Sequence, residues 1–84
     1  MKQIRLTRHA QGYLATRGFT LEEVEAVIRT TEWQVNKRGR FESRKDFAYG
    51  EQWNGRIYEF KQVRPIFVEE SDEIVVITVY TYYF

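Results

Sequence analysis

The dipeptide Asn54-Gly55, set between two long runs of alternating character, limits this chain more than any other feature. The favoured two-residue hairpin turn needs positive φ at both central positions, which Asn followed by Gly adopts at least cost. The flanking runs, Phe41 to Trp53 and Arg56 to Val63, therefore read as the arms of one β-hairpin. In that register Tyr49 faces Phe60 and Glu51 faces Tyr58, which makes one side of the hairpin aromatic. The rest of the chain has to pack on a sheet built around this pair.

Upstream of the hairpin the apolar period is mostly that of helices. Lys2 to Thr7 alternates as a half-buried strand does, and Thr7 is placed to cap a helix over about Arg8 to Thr16. Arg17-Gly18 is a helix stop. Thr20 and Glu23 form a capping box, with Phe19 and Val24 as a hydrophobic staple, and the second helix turns Leu21, Val24, Val27 and Ile28 inward. Trp33 and Val35 suggest a short strand, followed by the basic turn Asn36 to Arg40. Beyond the hairpin, Arg64-Pro65 marks a strand break or an edge. Ile66 to Val68 then pairs with a last strand, Ile74 to Tyr82, across the acidic turn Glu69 to Asp72. In that last strand Val75, Ile77 and Val79 are expected beneath Leu14, Val24 and Ile28; Ile74, Val76, Thr78, Tyr80 and Tyr82 are expected on the opposite face. The order β-α-α-β-β-β-β predicts one α+β domain over residues 1–84, with two helices on one face of a mostly antiparallel, twisted sheet.

Composition excludes several classes. With 84 residues and no cysteine, the chain has neither a disulfide framework nor a thiolate metal site. Its longest apolar run, Ile74 to Ile77, is far too short to span a bilayer, and no signal-peptide core follows Met1, so a soluble cytoplasmic domain is expected. There is no glycine-rich phosphate loop, and Glu69 to Glu73 lacks the spacing of a calcium loop, so no cofactor or metal is expected. A DNA-reading helix-turn-helix is excluded by Glu22, Glu23 and Glu25 at the front of the second helix, which phosphates repel.

The net charge of +1 conceals an asymmetry. Residues 1–45 hold ten Lys/Arg against five Asp/Glu, and residues 46–84 hold three against seven. Lys37, Arg38 and Arg40, with Arg44 and Lys45, surround Phe41; cations mixed with an aromatic ring suit single-stranded RNA through phosphate contact and base stacking. A solvated hairpin loop is the alternative for that stretch. Aromatic residues are 17% of the chain, more than a small core needs. Tyr49, Tyr58, Phe60 and Tyr80 are accordingly expected to form a face that a partner or RNA covers.

Arg5-Leu6-Thr7-Arg8-His9-Ala10, then Leu14, Arg17-Gly18-Phe19-Thr20 and Glu23-Val24, resembles the opening of the domain-of-unknown-function 4258 family. The ending Val76-Ile77-Thr78-Val79-Tyr80 is similar to that family's closing strand, at matching distances over nearly the whole chain. The family is similar in layout to RelE/ParE-like toxins, so the resemblance implies their fold. It also implies a toxin acting as a metal-independent RNA endonuclease, on free or ribosome-bound mRNA, held inactive by a cognate antitoxin. It casts His9 as a proton-transfer group, Arg17 and Arg8 as phosphate ligands, and Thr78 and Tyr80 as hydrogen-bond donors. Two other readings stay open: a non-catalytic toxin-fold module that binds a protein through its aromatic sheet, and a gyrase-directed toxin. Fold alone does not choose among them, nor between monomer and homodimer.

Overall fold

The computed structural model describes residues 2–84. Strand β1 (Gln3–Leu6) leads into helix α1 (Arg8–Gly12), capped by the Thr7 hydroxyl, which accepts from the amide of Ala10 at 3.1 Å. The single first helix expected from the sequence is two: α1 stops at Tyr13 and α2 (Leu14–Arg17) follows. Gly12 costs a helix interior about 1 kcal/mol relative to alanine, and the break falls directly after it. Helix α2 ends at Gly18 in the left-handed conformation, φ 76°. Helix α3 (Leu21–Thr30) begins with the expected capping box: the Thr20 hydroxyl accepts from the Glu23 amide, and the Glu23 carboxylate accepts from the Thr20 amide. Both staple residues, Phe19 and Val24, are buried.

The sheet has six strands in the order β1-β6-β5-β3-β2, with β4 also paired to β5. Here β2 is Gln34–Val35, β3 Phe41–Glu42, β4 Lys45–Trp53, β5 Arg56–Glu69 and β6 Glu73–Tyr83. Only β1 and β6 are parallel; the other ladders are antiparallel. The architecture is α+β, with the helices on one face of a mixed sheet. Ala10, Phe19, Val24, Val27 and Ile28 close the core against Val63, Phe67, Ile74, Val76 and Val79. Burying each of these larger side chains contributes roughly 1.5–3 kcal/mol.

Several expectations are corrected by the register. Ile66 pairs with Thr78, but Phe67 pairs with Val76, so Ile77 is an extra residue bulged out of β6. The bulge changes the phase of the strand. Ile74 and Val76 enter the core cluster together with Val79; Val75 is buried as expected but lies outside that cluster, Ile77 is only half-buried, and Thr78, Tyr80 and Tyr82 keep the opposite face. Leu14, expected over the core, is 38% exposed. In the hairpin Glu51 pairs with Tyr58 as expected, but a bulge at Tyr49-Gly50 places Ala48, not Tyr49, opposite Phe60. The long first arm is interrupted at Ser43-Arg44 and becomes β3 and β4. Strand β5, by contrast, runs straight through Arg64-Pro65. Proline, which lacks an amide donor, is tolerated because its stretch lies opposite the Ser43-Arg44 gap, where the ladder is already open on that side.

Candidate functional site

On the sheet face away from the helices, the hairpin β2–β3 and strands β5 and β6 enclose a cavity of about 260 Å³. Arg38 and Arg40 reach it from the β2–β3 turn. That turn is shaped by the Asn36 carboxamide oxygen, which accepts from the amides of both residues at 2.9 and 3.0 Å. Glu42 comes from β3, Arg64 and Ile66 from β5, and Thr78 and Tyr80 from β6. Arg64 and Tyr80 are direct cross-strand partners, and the guanidinium of Arg64 lies 5.2 Å from the Tyr80 ring centre and 5.6 Å from that of Tyr82. Three arginines thus line a small concavity with one glutamate, although the whole chain carries only +1. Such a grouping attracts a polyanion locally and offers a π-face for a stacked base.

Arg17 flanks this cavity in a fixed posture. Its Nη1 donates to the Val79 carbonyl at 2.8 Å and to the Thr78 hydroxyl at 3.4 Å, and its guanidinium lies 3.7 Å from the Tyr13 ring centre and 5.1 Å from that of Tyr80. Its own carbonyl, at the end of α2, accepts from the hydroxyls of Thr81 and Tyr83 at 2.6 and 2.9 Å. The Gly18 carbonyl accepts from the buried Lys61 ammonium at 2.9 Å, and that ammonium also pairs with Glu23 at 2.7 Å. Side chains of β5 and β6 therefore satisfy carbonyls that a helix end leaves unpaired, and they lock Arg17 over the last strand. Burial among these groups pushes the Tyr83 hydroxyl up to about 12, with Tyr49 and Glu23 adding to the effect.

The structure brings together Arg17, Thr78 and Tyr80, and it adds Arg38 and Arg40 through the cavity wall. It does not bring the other expected residues to that point. His9 is exposed near the start of α1, meets Tyr13 edge-on at 4.9 Å and does not line the cavity; Tyr13 in turn carries the Arg17 guanidinium. Arg8 and Lys37 are exposed, and neither lines the cavity. Arg44 belongs to a separate, smaller cavity. Lys45 turns to the helix side, where it donates to the Thr30 hydroxyl at 3.2 Å.

The expected aromatic face is split. Tyr49, Trp53 and Tyr58 gather around Tyr83, with ring centres 5.3, 4.7 and 5.8 Å from it, whereas Phe60 stacks on Phe84 at 5.6 Å. Tyr49, Tyr58, Phe60 and Tyr80 therefore do not form one patch.

Glu42 and Arg64 were missed by sequence reasoning. Arg64 had a usable signal: reading the strand through Pro65 places it on the face of Tyr80. Among the described residues no group of three or more His, Cys, Asp or Glu side chains is arranged to hold a metal ion, and no helix is long and apolar enough to cross a membrane. Comparison with models of protein families, with curated proteins and with solved structures returns no match for this chain.

Proposed function

We propose that this chain is a RelE/ParE-like toxin that cleaves single-stranded RNA without a metal, its activity restrained by a cognate antitoxin. The observation that carries the reading is the single cavity where Arg38, Arg40 and Arg64 meet Glu42, Thr78 and Tyr80. Metal-independent cleavage needs a base for the 2′-hydroxyl proton, cations for the charge that builds on phosphorus, and an acid for the leaving oxygen. Glu42, the carboxylate in the cavity wall, takes the proton. The 2′-oxygen then attacks phosphorus, and the bond from phosphorus to the 5′-oxygen breaks. The three guanidinium groups stabilise the dianionic transition state, and the Tyr80 hydroxyl returns a proton to the departing 5′-oxygen. The products are a 2′,3′-cyclic phosphate and a free 5′-hydroxyl. Arg17, whose Nη1 is engaged by Thr78 and Val79, holds Tyr80 in place. His9 meets Tyr13 and does not line the cavity, so Glu42 rather than His9 takes the proton-acceptor role.

The toxin part of this reading is supported by the resemblance of the Arg5 to Ala10 opening and the Val76 to Tyr80 ending. The binding module with an aromatic docking face has less support, because its rings are divided between two clusters. Expression of the chain without a partner is expected to arrest growth, and Arg64→Ala and Glu42→Gln are each expected to relieve the arrest while remaining folded. Full arrest by both folded variants would refute the assignment.

A further inference from the structure

Strand β6 turns every second side chain away from the helices, and onward from the cavity those positions are Tyr80, Tyr82 and Phe84. Phe84, one residue past β6, exchanges both backbone hydrogen bonds with Phe60 at 2.8 and 3.1 Å, so it keeps the register, and the two rings stack at 5.6 Å. The alternate residues point the other way: Val79 is buried in the core, and Thr81 and Tyr83 donate to the Arg17 carbonyl. Tyr80, Tyr82, Phe84 and Phe60 are 38%, 44%, 54% and 42% exposed. A contiguous open patch of this kind marks an interaction surface.

The row of rings starts in the cavity that Arg38, Arg40 and Arg64 line, and Arg64 reaches the rings of both Tyr80 and Tyr82. Across from Tyr82, Gln62 donates to Asp46 of β4 at 2.9 Å, so that carboxylate is already engaged. Cations at the head of the row and beside its rings fit a phosphate chain better than the apolar face of another protein. Successive rings lie about 6.6–6.8 Å apart along the strand, twice the roughly 3.4 Å per nucleotide of a strand in a duplex. Bases meet such rings one by one only when their strand is unpaired and extended. Resting on the RNA reading above, we infer that the outer face of β6 is a stacking platform that carries single-stranded RNA away from the cavity. One base stacks on Tyr80, the next on Tyr82 and a third on the Phe60–Phe84 pair, and Arg64 binds the phosphate between the first two.

The test measures binding of a 2′-O-methyl RNA of about eight nucleotides, within the usual site sizes of single-strand binders, by fluorescence anisotropy. Methylation blocks the attacking 2′-oxygen, so wild-type protein serves without cleavage; unmodified RNA with Glu42→Gln protein is the second arm. Tyr82→Ala and Phe84→Ala, each with its fold checked by circular dichroism, are expected to weaken binding roughly 5- to 150-fold, the range for loss of one stacked base. Tyr82→Phe keeps the ring and is expected to keep the affinity. Stacking releases no counterions, so the salt dependence of the two alanine variants is expected to match wild type, whereas Arg38→Ala should flatten it. A duplex of the same sequence is expected to bind wild type and both alanine variants equally. Single-strand binding that neither alanine variant weakens, or an equal loss on the duplex, would overturn the platform and leave the cavity reading standing. A wild-type dimer in sedimentation that both variants dissociate would also overturn it, by giving the face to a second copy. Absence of binding to any RNA by the folded wild-type chain would overturn the RNA reading, and this inference with it.

Discussion

Replacing Gly18 with alanine should be among the most damaging single-methyl changes this chain can suffer. Gly18 has φ 76°, where an L-residue pays roughly 1–2 kcal/mol for the approach of its Cβ to the backbone. A Cβ there would also fall on the Tyr83 hydroxyl and come within 2.7 Å of the Trp53 ring. Those groups are not free to retreat: Tyr83 donates to the Arg17 carbonyl at 2.9 Å and stacks on Trp53 at 4.7 Å. Overpacking of this kind typically costs about 1–3 kcal/mol, so the sum is roughly 2–5 kcal/mol. For a domain of this size each kcal/mol lowers the melting temperature by about 4–8 °C, so a fall of roughly 8–40 °C is expected. Gly39 supplies the control. Its φ of 74° is nearly the same, but no atom lies within 4 Å of its would-be Cβ, so Gly39→Ala pays only the backbone part. Thermal melts of the two variants by circular dichroism isolate the contact contribution. Equal losses in both would refute the packing of Tyr83 and Trp53 against the end of α2.

Glu23→Ala should cost about 3 kcal/mol or more in urea titrations, because it strands the buried Lys61 ammonium and removes half of a capping box; Lys61→Met, which removes the buried charge itself, should cost less. Stability should fall as pH rises from about 10 to 12. The Tyr83 hydroxyl ionises in the unfolded chain near its ordinary value of 10.0 but is pushed up to about 12 in the fold, so alkali favours the unfolded state. Tyr83→Phe should flatten that decline in denaturant melts taken across the range. Glu42→Gln should lower RNA cleavage by roughly 10²–10⁴-fold, the usual contribution of a proton-transfer group. His9→Ala should change it far less, and single-turnover rates for the two variants separate these expectations.

What could be read in advance was what neighbouring residues decide among themselves. The capping box at Thr20, the stop at Gly18 and the Asn54-Gly55 turn are each written within about four positions, and each stands in the structure. The phase of the last strand was not readable, for a physical reason. Ile74 to Ile77 is apolar at every position, so no polar residue marks which side faces water, and the bulge at Ile77 is chosen by pairing with β5. Gly50 was the one local hint of the other bulge, since glycine inside a strand often marks such a site. Pro65 misled because its tolerance depends on an interruption at Ser43-Arg44, about twenty residues away in sequence. The same misreading hid Arg64. Of the candidate site, Arg17, Thr78 and Tyr80 were legible as a set through family resemblance, and Arg38 and Arg40 through charge. Glu42 was not, because nothing local distinguishes it from any other strand glutamate until β3 is laid against β5.

The most direct test of the central claim is incubation of the purified chain with single-stranded RNA in excess chelator, followed by analysis of the product ends. Cleavage that persists in chelator, leaves 2′,3′-cyclic phosphate and 5′-hydroxyl termini, and disappears in folded Arg64→Ala is the result predicted by the cavity that Arg38, Arg40, Arg64, Glu42 and Tyr80 share. Intact RNA after incubation with the folded wild-type chain, or cleavage unchanged in Arg64→Ala, would contradict it.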